Sequence, residues 1–193
     1  ARIVVNDLGS AVTGVGGSRD PADSVVQEIR DRGGIAVASH DSVASMENGE
    51  RIIKTAVDNF GRLDILVNAA GILRDRMIYN MTEEEWDTVI AVHLKGTFAC
   101  SRFASVVMRQ QRSGRIINFA SESGLIGNPS QANYGSAKGG ISGLTKVTAR
   151  DLGKYGVTCN CIVPRAWTRM TETIPPLAVR RRMLGSTQTP FDD

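Results

Sequence analysis

The sequence has few of the residues that mark metal-binding, redox or secreted proteins. It contains three cysteines and two histidines among 193 residues, and aromatic side chains make up 5% of it. Three cysteines without paired C-x-x-C spacing argue against a disulfide framework and a zinc site, so we expect no metal. Cys100, Cys159 and Cys161 are best interpreted as buried structural thiols of a protein in a reducing, intracellular compartment.

A strong charge bias and a long apolar run are also absent. Lys and Arg number 23 against 20 Asp and Glu, a net charge of +3 spread along the chain. The one basic cluster, at 180–182, is more simply a solvated helix face than a phosphate site, so we expect no nucleic-acid partner. No apolar run reaches the roughly 20 residues of a membrane span. No secretory signal opens the sequence, and these absences predict no membrane contact and a cytoplasmic protein.

Short apolar runs alternate with helix-period segments from end to end. This alternation predicts an α/β fold, a doubly wound parallel sheet, within one domain over 1–193. The predicted strands are 2–7, 35–38, 63–68, 115–120 and 157–163. Predicted helices cover 20–32, 82–111 and 132–154, the second starting at a capping box of Thr82 and Glu85. Residues 165–193 are expected to form a loop with one short helix.

Tyr134 and Lys138 are four residues apart in Y-G-S-A-K, which places them on one face of a helix. A free phenol has a pKa of about 10. A neighbouring cation lowers that pKa because it favours the phenolate. The spacing therefore predicts an acid/base pair. Ligands of parallel sheets lie across the carboxyl ends of the strands, which directs attention to Asp7, Asp41, Asn68, Ser121 and Pro164.

The stretch from 114 to 138, a strand, a serine-bearing loop and then Y-G-S-A-K, resembles the short-chain dehydrogenase/reductase family. N-A-A-G at 68–71 resembles that family's N-N-A-G signature. N-C-I-V-P at 160–164 is similar to its turn beside the nicotinamide, with Arg165 in place of the usual glycine. The resemblance implies that Ser121, thirteen residues before Tyr134, binds the substrate oxygen. Nearby Ser123 is expected only to satisfy the local backbone.

The resemblance also implies NAD as the cofactor. Asp7 ends a strand, where its carboxylate would accept hydrogen bonds from the ribose diol and repel a 2′-phosphate, or would simply cap a turn beside Gly9. Asp41 resembles the family's aspartate that holds the adenine amino group. The full expected cofactor set is Asp7, Asp41, Ser42, Asn68, Ala69, Ala70, Gly71, Tyr134, Lys138, Pro164 and Thr168.

Two features depart from the family's pattern. His93 stands where the family usually has an asparagine that holds a water linking the lysine to solvent, so it is either a catalytic relay or a structural histidine. T-G-V-G-G at 13–17 does not match G-x-G-x-x-G, and we expect it to be a flexible surface loop. The family's glycine loop with its first strand, and its last strand, would lie outside this sequence. The domain is therefore expected to be incomplete.

V-V-N-D-L-G, G-I-L-R-D-R, His93 and R-M-T at 169–171 resemble one branch of the family, the (3R)-hydroxyacyl-CoA dehydrogenase domains of multifunctional enzymes. That implies an NAD-dependent oxidoreductase interconverting a secondary alcohol and a ketone on a small molecule, a 3-hydroxyacyl-CoA or a steroid-like alcohol. It also implies a homotetramer or homodimer. Two alternatives stay open: a β-ketoacyl carrier-protein reductase, which G-N-P-S-Q-A-N-Y also resembles, and a non-catalytic subunit of a family oligomer.

Overall fold

The computed structural model describes residues 1–164, and its strands form parallel pairs. The strands are β1 (Arg2–Asn6), β2 (Ile35–Ser39), β3 (Ile65–Asn68), β4 (Gly114–Phe119) and β5 (Val157–Ile162). Each begins and ends within two residues of the predicted bounds. The α/β prediction is confirmed, since parallel sheets are flanked by helices.

The strands fall into two sheets, one formed by β1 and β2 and the other in the order β3-β4-β5. The facing edges of β1 and β3 are not bonded to each other. They line a cavity of about 720 Å³ together with side chains of the helices beneath, among them Ile52, Ile53 and Cys100. The parallel sheet is thus interrupted between β1 and β3. The expectation of further strands outside the sequence stays a prediction.

Helices follow the strands. They are α1 (Asp20–Asp31), α2 (Met46–Phe60), α3 (Glu83–Ile90), α4 (Gly96–Gln111) and α5 (Ala132–Leu152). The capping box of Thr82 and Glu85 forms as predicted. The predicted helix 82–111 is interrupted by a π-helical turn at Ala91–Lys95. Helix α2 was not predicted, although Ser45 caps its start and Gly61, with φ of 76°, ends it.

The core lies between the β3-β4-β5 sheet and the helices α2, α4 and α5. Ile116 and Met108 are fully buried there, and each such side chain contributes about 1.5–3 kcal/mol relative to exposure. Burial raises the pKa values of the Cys100 and Cys159 thiols to about 11. Both cysteines are therefore buried structural thiols, as expected, while Cys161 is half-buried.

Residues 8–18 form a surface loop that includes T-G-V-G-G. It is bonded to the segment after β3: the Leu73 amide donates to the Val12 carbonyl (2.9 Å) and Arg74 Nε donates to the Thr13 carbonyl (2.6 Å). The loop is thus held against that segment at two adjacent positions. Over residues 1–164, no helix is long and apolar enough to cross a membrane, and no group of three His, Cys, Asp or Glu residues could hold a metal ion.

Candidate active site

Ser121 lies just after β4, where the chain turns into a short 3-10 helix, Glu122–Gly124. Its Oγ accepts a hydrogen bond from the Ser123 amide (3.3 Å). The 3-10 helix lies close against α5, since a Cβ at Gly124 would come 2.4 Å from the Gly139 amide nitrogen. Only glycine permits this approach, which places Ser121 beside the first turns of α5.

Tyr134 and Lys138 project from one face of α5, as their spacing predicts. Lys138 Nζ lies 5.5 Å from the centroid of the Tyr134 ring and donates a hydrogen bond to the Phe119 carbonyl at the end of β4 (2.7 Å). The Lys138 side chain is buried, whereas Tyr134 is half-buried. The fold therefore brings Ser121, Tyr134 and Lys138 together at the carboxyl end of β4.

The electrostatics of this pair differ from the sequence expectation. Burial raises the pKa of Tyr134, a hydrogen bond from Ser121 opposes that rise, and the charge of Asp75 adds to it. The pKa of Tyr134 is thus raised overall, rather than lowered as the sequence predicts, because burial is the largest influence on it. Burial also lowers the pKa of Lys138 to about 8. The phenol form of Tyr134 is therefore favoured at neutral pH.

His93 lies on the π-helical turn and is fully buried. Its ring packs edge-on against Tyr134, with centroids 5.1 Å apart, and its Nε2 is 2.8 Å from the Ile72 carbonyl oxygen. Burial, and secondarily the charge of Lys138, lower its pKa to about 4, so the imidazole is neutral. Within residues 1–164, its Nδ1 is buried without a hydrogen-bond partner. π-Helical turns inside α-helices occur frequently at functional sites.

The segment 68–71 divides between the core and the surface. Asn68 points inward, donating from Nδ2 to Asn118 Oδ1 (2.8 Å) and to Ser101 Oγ (3.1 Å). Ala69 and Ala70 are exposed. Asn68 therefore secures the end of β3, while the two small residues after it leave the backbone accessible.

Gly71 lies against the His93 ring, at the edge of the candidate active site. A Cβ at this position would come 2.5 Å from Cε1 of His93, which is closer than any real side-chain contact. The fourth residue of N-A-A-G is therefore glycine because the imidazole occupies the space of a side chain. This contact links the small-residue segment to the π-helical turn.

The other predicted cofactor residues lie at the carboxyl ends of β1 and β2. Asp7 is exposed, and its Oδ1 accepts from the Gly9 amide (2.7 Å), so the turn-capping alternative is present alongside a solvent-facing carboxylate. Asp41 Oδ1 accepts from Arg51 Nε and Nη2 (3.1 and 2.8 Å). Ser42 Oγ accepts from the Ala44 amide (3.2 Å).

Asp41 is also tied to β1 through its backbone. Asn6 Nδ2 donates to the Asp41 carbonyl (3.2 Å), so the ends of β1 and β2 are held together. Pro164 is exposed after β5. The predicted contact of Thr168 lies outside the described residues.

Three polar residues near the site were missed in the sequence. Asn133 is fully buried and donates from Nδ2 to the Arg74 and Glu85 carbonyls (2.9 and 3.0 Å), which anchors α5 beside Tyr134. Asp75 and Gln131 are hydrogen-bonded to each other. Their partners are distant in the chain, and no local pattern indicates such pairs.

Comparisons with known proteins identify the family to which this chain belongs. Residues 4–176 match the family model described as short chain dehydrogenase. The chain is 51% identical over 176 residues to the peroxisomal hydratase-dehydrogenase-epimerase of Neurospora crassa and 49% identical to the peroxisomal multifunctional enzyme type 2 of mouse, covering 91% of this chain in each case. The chain belongs to the short-chain dehydrogenase family.

Solved structures of the same family superpose on this fold. A short-chain dehydrogenase from Mycobacterium avium matches with a TM-score of 0.79 at 52% identity, over 91% of this chain and 62% of that one. NAD+-bound xylitol dehydrogenase matches with a TM-score of 0.77 at 29% identity, over 84% of this chain and 60% of that one. The predictions of family and of a Rossmann-like fold are both confirmed.

These matches also correct one prediction. The chain spans 19% of the Neurospora protein and 24% of the mouse protein, and both are named as peroxisomal enzymes. The predicted cytoplasmic location is therefore wrong. Bulk composition and hydropathy could not reveal this, because organelle addresses are short signals read by receptors.

Proposed function

We propose that this chain is an NAD-dependent dehydrogenase domain that interconverts a secondary alcohol and a ketone. The observation that carries the proposal is the convergence of Ser121, Tyr134 and Lys138 at one point on the sheet edge. A positioned acid/base side chain contributes about 10²- to 10⁴-fold to a rate. The intact constellation also argues against the alternative of a non-catalytic subunit.

In the proposed oxidation, Tyr134 Oη takes the proton of the substrate hydroxyl. Ser121 Oγ donates a hydrogen bond to the substrate oxygen and holds it beside the phenol. Lys138 places a positive charge next to the ring and stabilises the phenolate when it forms. In reduction, the phenol form that burial favours donates its proton to the ketone oxygen.

The side chains at the sheet edge fit a nicotinamide dinucleotide. Ala69 and Ala70 are small and exposed, and Asp7 offers an exposed carboxylate to a ribose diol while disfavouring a 2′-phosphate. When bound, NAD would accept the hydride or return it. We assign its ribose to Lys138 and Tyr134, and its remaining contacts to Asp41, Ser42, Asn68, Gly71, Pro164 and Thr168.

We further propose that His93 holds a water molecule for Lys138. The support is the buried Nδ1, which has no partner among residues 1–164, and the neutral state of the ring. A buried polar atom of this kind is the usual partner of an internal water. A neutral imidazole can either donate or accept that hydrogen bond, depending on its tautomer.

As substrate we propose a 3-hydroxyacyl-CoA or a steroid-like alcohol, on the strength of the multifunctional relatives. A second candidate is a β-ketoacyl carrier-protein reductase, because the 3-oxoacyl-[acyl-carrier-protein] reductase of Synechocystis is 46% identical over 158 residues. The test measures NADH formation from a (3R)-hydroxyacyl-CoA and from a hydroxysteroid, and NADPH consumption with a 3-oxoacyl carrier protein. Turnover of the carrier-protein substrate alone would favour the second candidate, and turnover of none of the three substrates would refute both.

We also propose a homotetramer or homodimer assembled through α4 and α5. Large apolar side chains are exposed on both helices: Phe98 of α4 is 44% exposed and Val147 of α5 is 57% exposed. Contiguous exposed apolar patches mark interaction surfaces, and these two side chains would belong to such a patch in the proposed interface. Light scattering on the eluting protein measures the state, and a monomer at micromolar concentration would refute this proposal.

A further inference from the structure

A chain of hydrogen bonds leads from a surface carboxylate to Ser121. Asp75 Oδ2 accepts from Gln131 Nε2 (2.9 Å), and Gln131 Oε1 accepts from Ser123 Oγ (2.7 Å). The Ser123 amide in turn donates to Ser121 Oγ (3.3 Å). Asp75 is exposed, whereas Ser123 and Gln131 are 5% and 8% exposed. These hydrogen bonds thus run from solvent through the buried Gln131 side chain to Ser123, whose hydroxyl bonds Gln131 and whose amide bonds Ser121.

The side chains of both buried residues, Gln131 and Ser123, have hydrogen-bond partners for their donor and acceptor groups. Gln131 donates at one end of its carboxamide and accepts at the other, which determines the orientation of the amide. The Ser123 hydroxyl donates to Gln131 and accepts from Asn128 Nδ2 (2.7 Å). Because buried polar groups without partners are strongly unfavourable, the network permits one arrangement of these side chains. Ser123 is therefore more than the local backbone partner expected from the sequence.

Neighbouring backbone contacts hold a strained turn just before α5. Ser130 has φ of 67°. This is a left-handed backbone conformation that residues other than glycine rarely adopt. Its carbonyl accepts from the Arg76 amide (2.8 Å), and Arg76 and Gln131 form an isolated parallel bridge. Such conformations persist where the surrounding structure imposes them. The segment carrying Asp75 and Arg76 thus clamps the turn that leads into Tyr134.

We propose that Asp75, Gln131 and Ser123 are positioning residues that hold Ser121 Oγ in register with the Tyr134 hydroxyl. The proposal rests on the dehydrogenase function proposed above. The hydrogen bond between Asp75 and Gln131 joins residues that are 56 positions apart. The series of hydrogen bonds therefore connects the segment after β3 to the loop after β4. Loss of the Asp75 carboxylate would release the Gln131 amide, and through it the loop bearing Ser121.

Asp75 also has an electrostatic effect on the site. The groups facing Tyr134 are Lys138 from α5, neutral His93 from the π-helical turn, and Asp75 from the segment after β3. The negative charge of Asp75 raises the pKa of Tyr134. Removing that charge while keeping a hydrogen-bond acceptor should shift the titration of Tyr134 toward lower pH.

The variants Asp75→Asn and Asp75→Ala separate the positioning role of Asp75 from its charge effect on Tyr134. Asp58→Asn, on the exposed face of α2, is the matched control. Asparagine keeps an acceptor for Gln131 and loses the charge, whereas alanine loses both. We expect Asp75→Ala to lower kcat by about tenfold or more, as small misplacements of reacting groups do, with little change in KM. We expect Asp75→Asn to keep most of kcat but to move the acid limb of the kcat/KM profile to lower pH.

A second variant tests the chain itself. Gln131→Leu removes both hydrogen bonds with little change in volume. Asp75→Ala added to it should lower kcat no further when kcat is measured on the pH-independent plateau, because the positioning effects of both residues act through one path and the charge of Asp75 only shifts the pH profile. Wild-type kcat and pH profile in Asp75→Ala would overturn the proposal, as would fully additive losses in the double variant. Wild-type protein without any alcohol turnover would instead refute the proposed function.

Discussion

The Tyr134 ring meets the His93 imidazole edge-on, with centroids 5.1 Å apart and planes at 88°. Behind the imidazole lies Gly71, where an added Cβ would come 2.5 Å from His93 Cε1. One buried, neutral ring therefore separates the small-residue segment after β3 from the proposed acid/base group. Changes on either side of this ring should be transmitted to the other.

Gly71→Ala should disturb catalysis through His93, because the new methyl group displaces the imidazole toward Tyr134. Overpacking of this kind costs about 1–3 kcal/mol of stability. Urea denaturation and steady-state kinetics measure both effects. Gly153→Ala is the control, since a Cβ there meets nothing within 4 Å. Equal behaviour of the two variants would contradict the role of the close contact.

Tyr134→Phe should abolish turnover while changing NAD affinity far less, because the ring and Lys138 are kept and only the hydroxyl group that carries the transferable proton is lost. The expected reduction is about 10²- to 10⁴-fold. Because the pKa of Tyr134 is raised, wild-type alcohol oxidation should increase with pH as the phenolate forms. Steady-state kinetics and calorimetric titration with NAD test both points. Activity of Tyr134→Phe within about tenfold of wild type would refute the assignment of Tyr134 as the acid/base group.

Asp7 should make NAD the preferred cofactor over NADP. Asp7→Asn keeps an acceptor for the Gly9 amide, a bond of 2.7 Å in this structure, and removes the charge. We expect it to narrow the preference with little loss of stability, whereas Asp7→Ala should narrow the preference and also weaken the turn. The ratio of kcat/KM for the two cofactors is the measurement. An enzyme already favouring NADP would refute this role of Asp7.

His93→Asn should keep most of the activity, because an amide can hold the proposed water, whereas His93→Leu should slow proton release. A wild-type pKa of about 4 also means that no histidine titration from this site should appear near neutral pH. Rates measured across pH for the three proteins decide this. Equal rates for the Asn and Leu variants would show that the position is purely structural.

His93 should also make stability depend on acid pH. Its pKa is lowered on folding from 6.5 to about 4, so between these values the unfolded chain binds the extra proton. The free energy of unfolding is therefore highest above the pKa of the unfolded chain. It decreases by up to about 3 kcal/mol as pH falls toward the pKa of the folded protein. Urea denaturation at pH 7 and at pH 4 should show a smaller loss for His93→Asn. An identical loss would contradict the buried neutral state.

The local spacing of residues determines the bounds of the strands, the start of one helix and the shared face of Tyr134 and Lys138. The strand bounds follow from short β-branched runs, and the capping box of Thr82 and Glu85 follows from residues three apart. Tyr134 and Lys138 share a helix face because four residues make about one turn. These features depend on the period of the backbone, which a sequence states directly.

Other features were decided only when distant segments came together. The side chain of Asn68 bonds to Asn118 and Ser101 in the core, and the sequence indicated neither partner. Asp75 acts on Tyr134 and bonds Gln131 across two separate loops. Partners of this kind are brought together by sheet topology, and no local pattern identifies them.

The sequence alone indicated the class of fold and the family, and it predicted an acid/base pair, because each depends on residue types at fixed intervals. The tertiary structure alone decided the protonation states. It raised the pKa of Tyr134, against the sequence expectation, and kept His93 neutral. The physical reason is that burial disfavours charge, and burial is produced by packing between elements that are far apart in the chain.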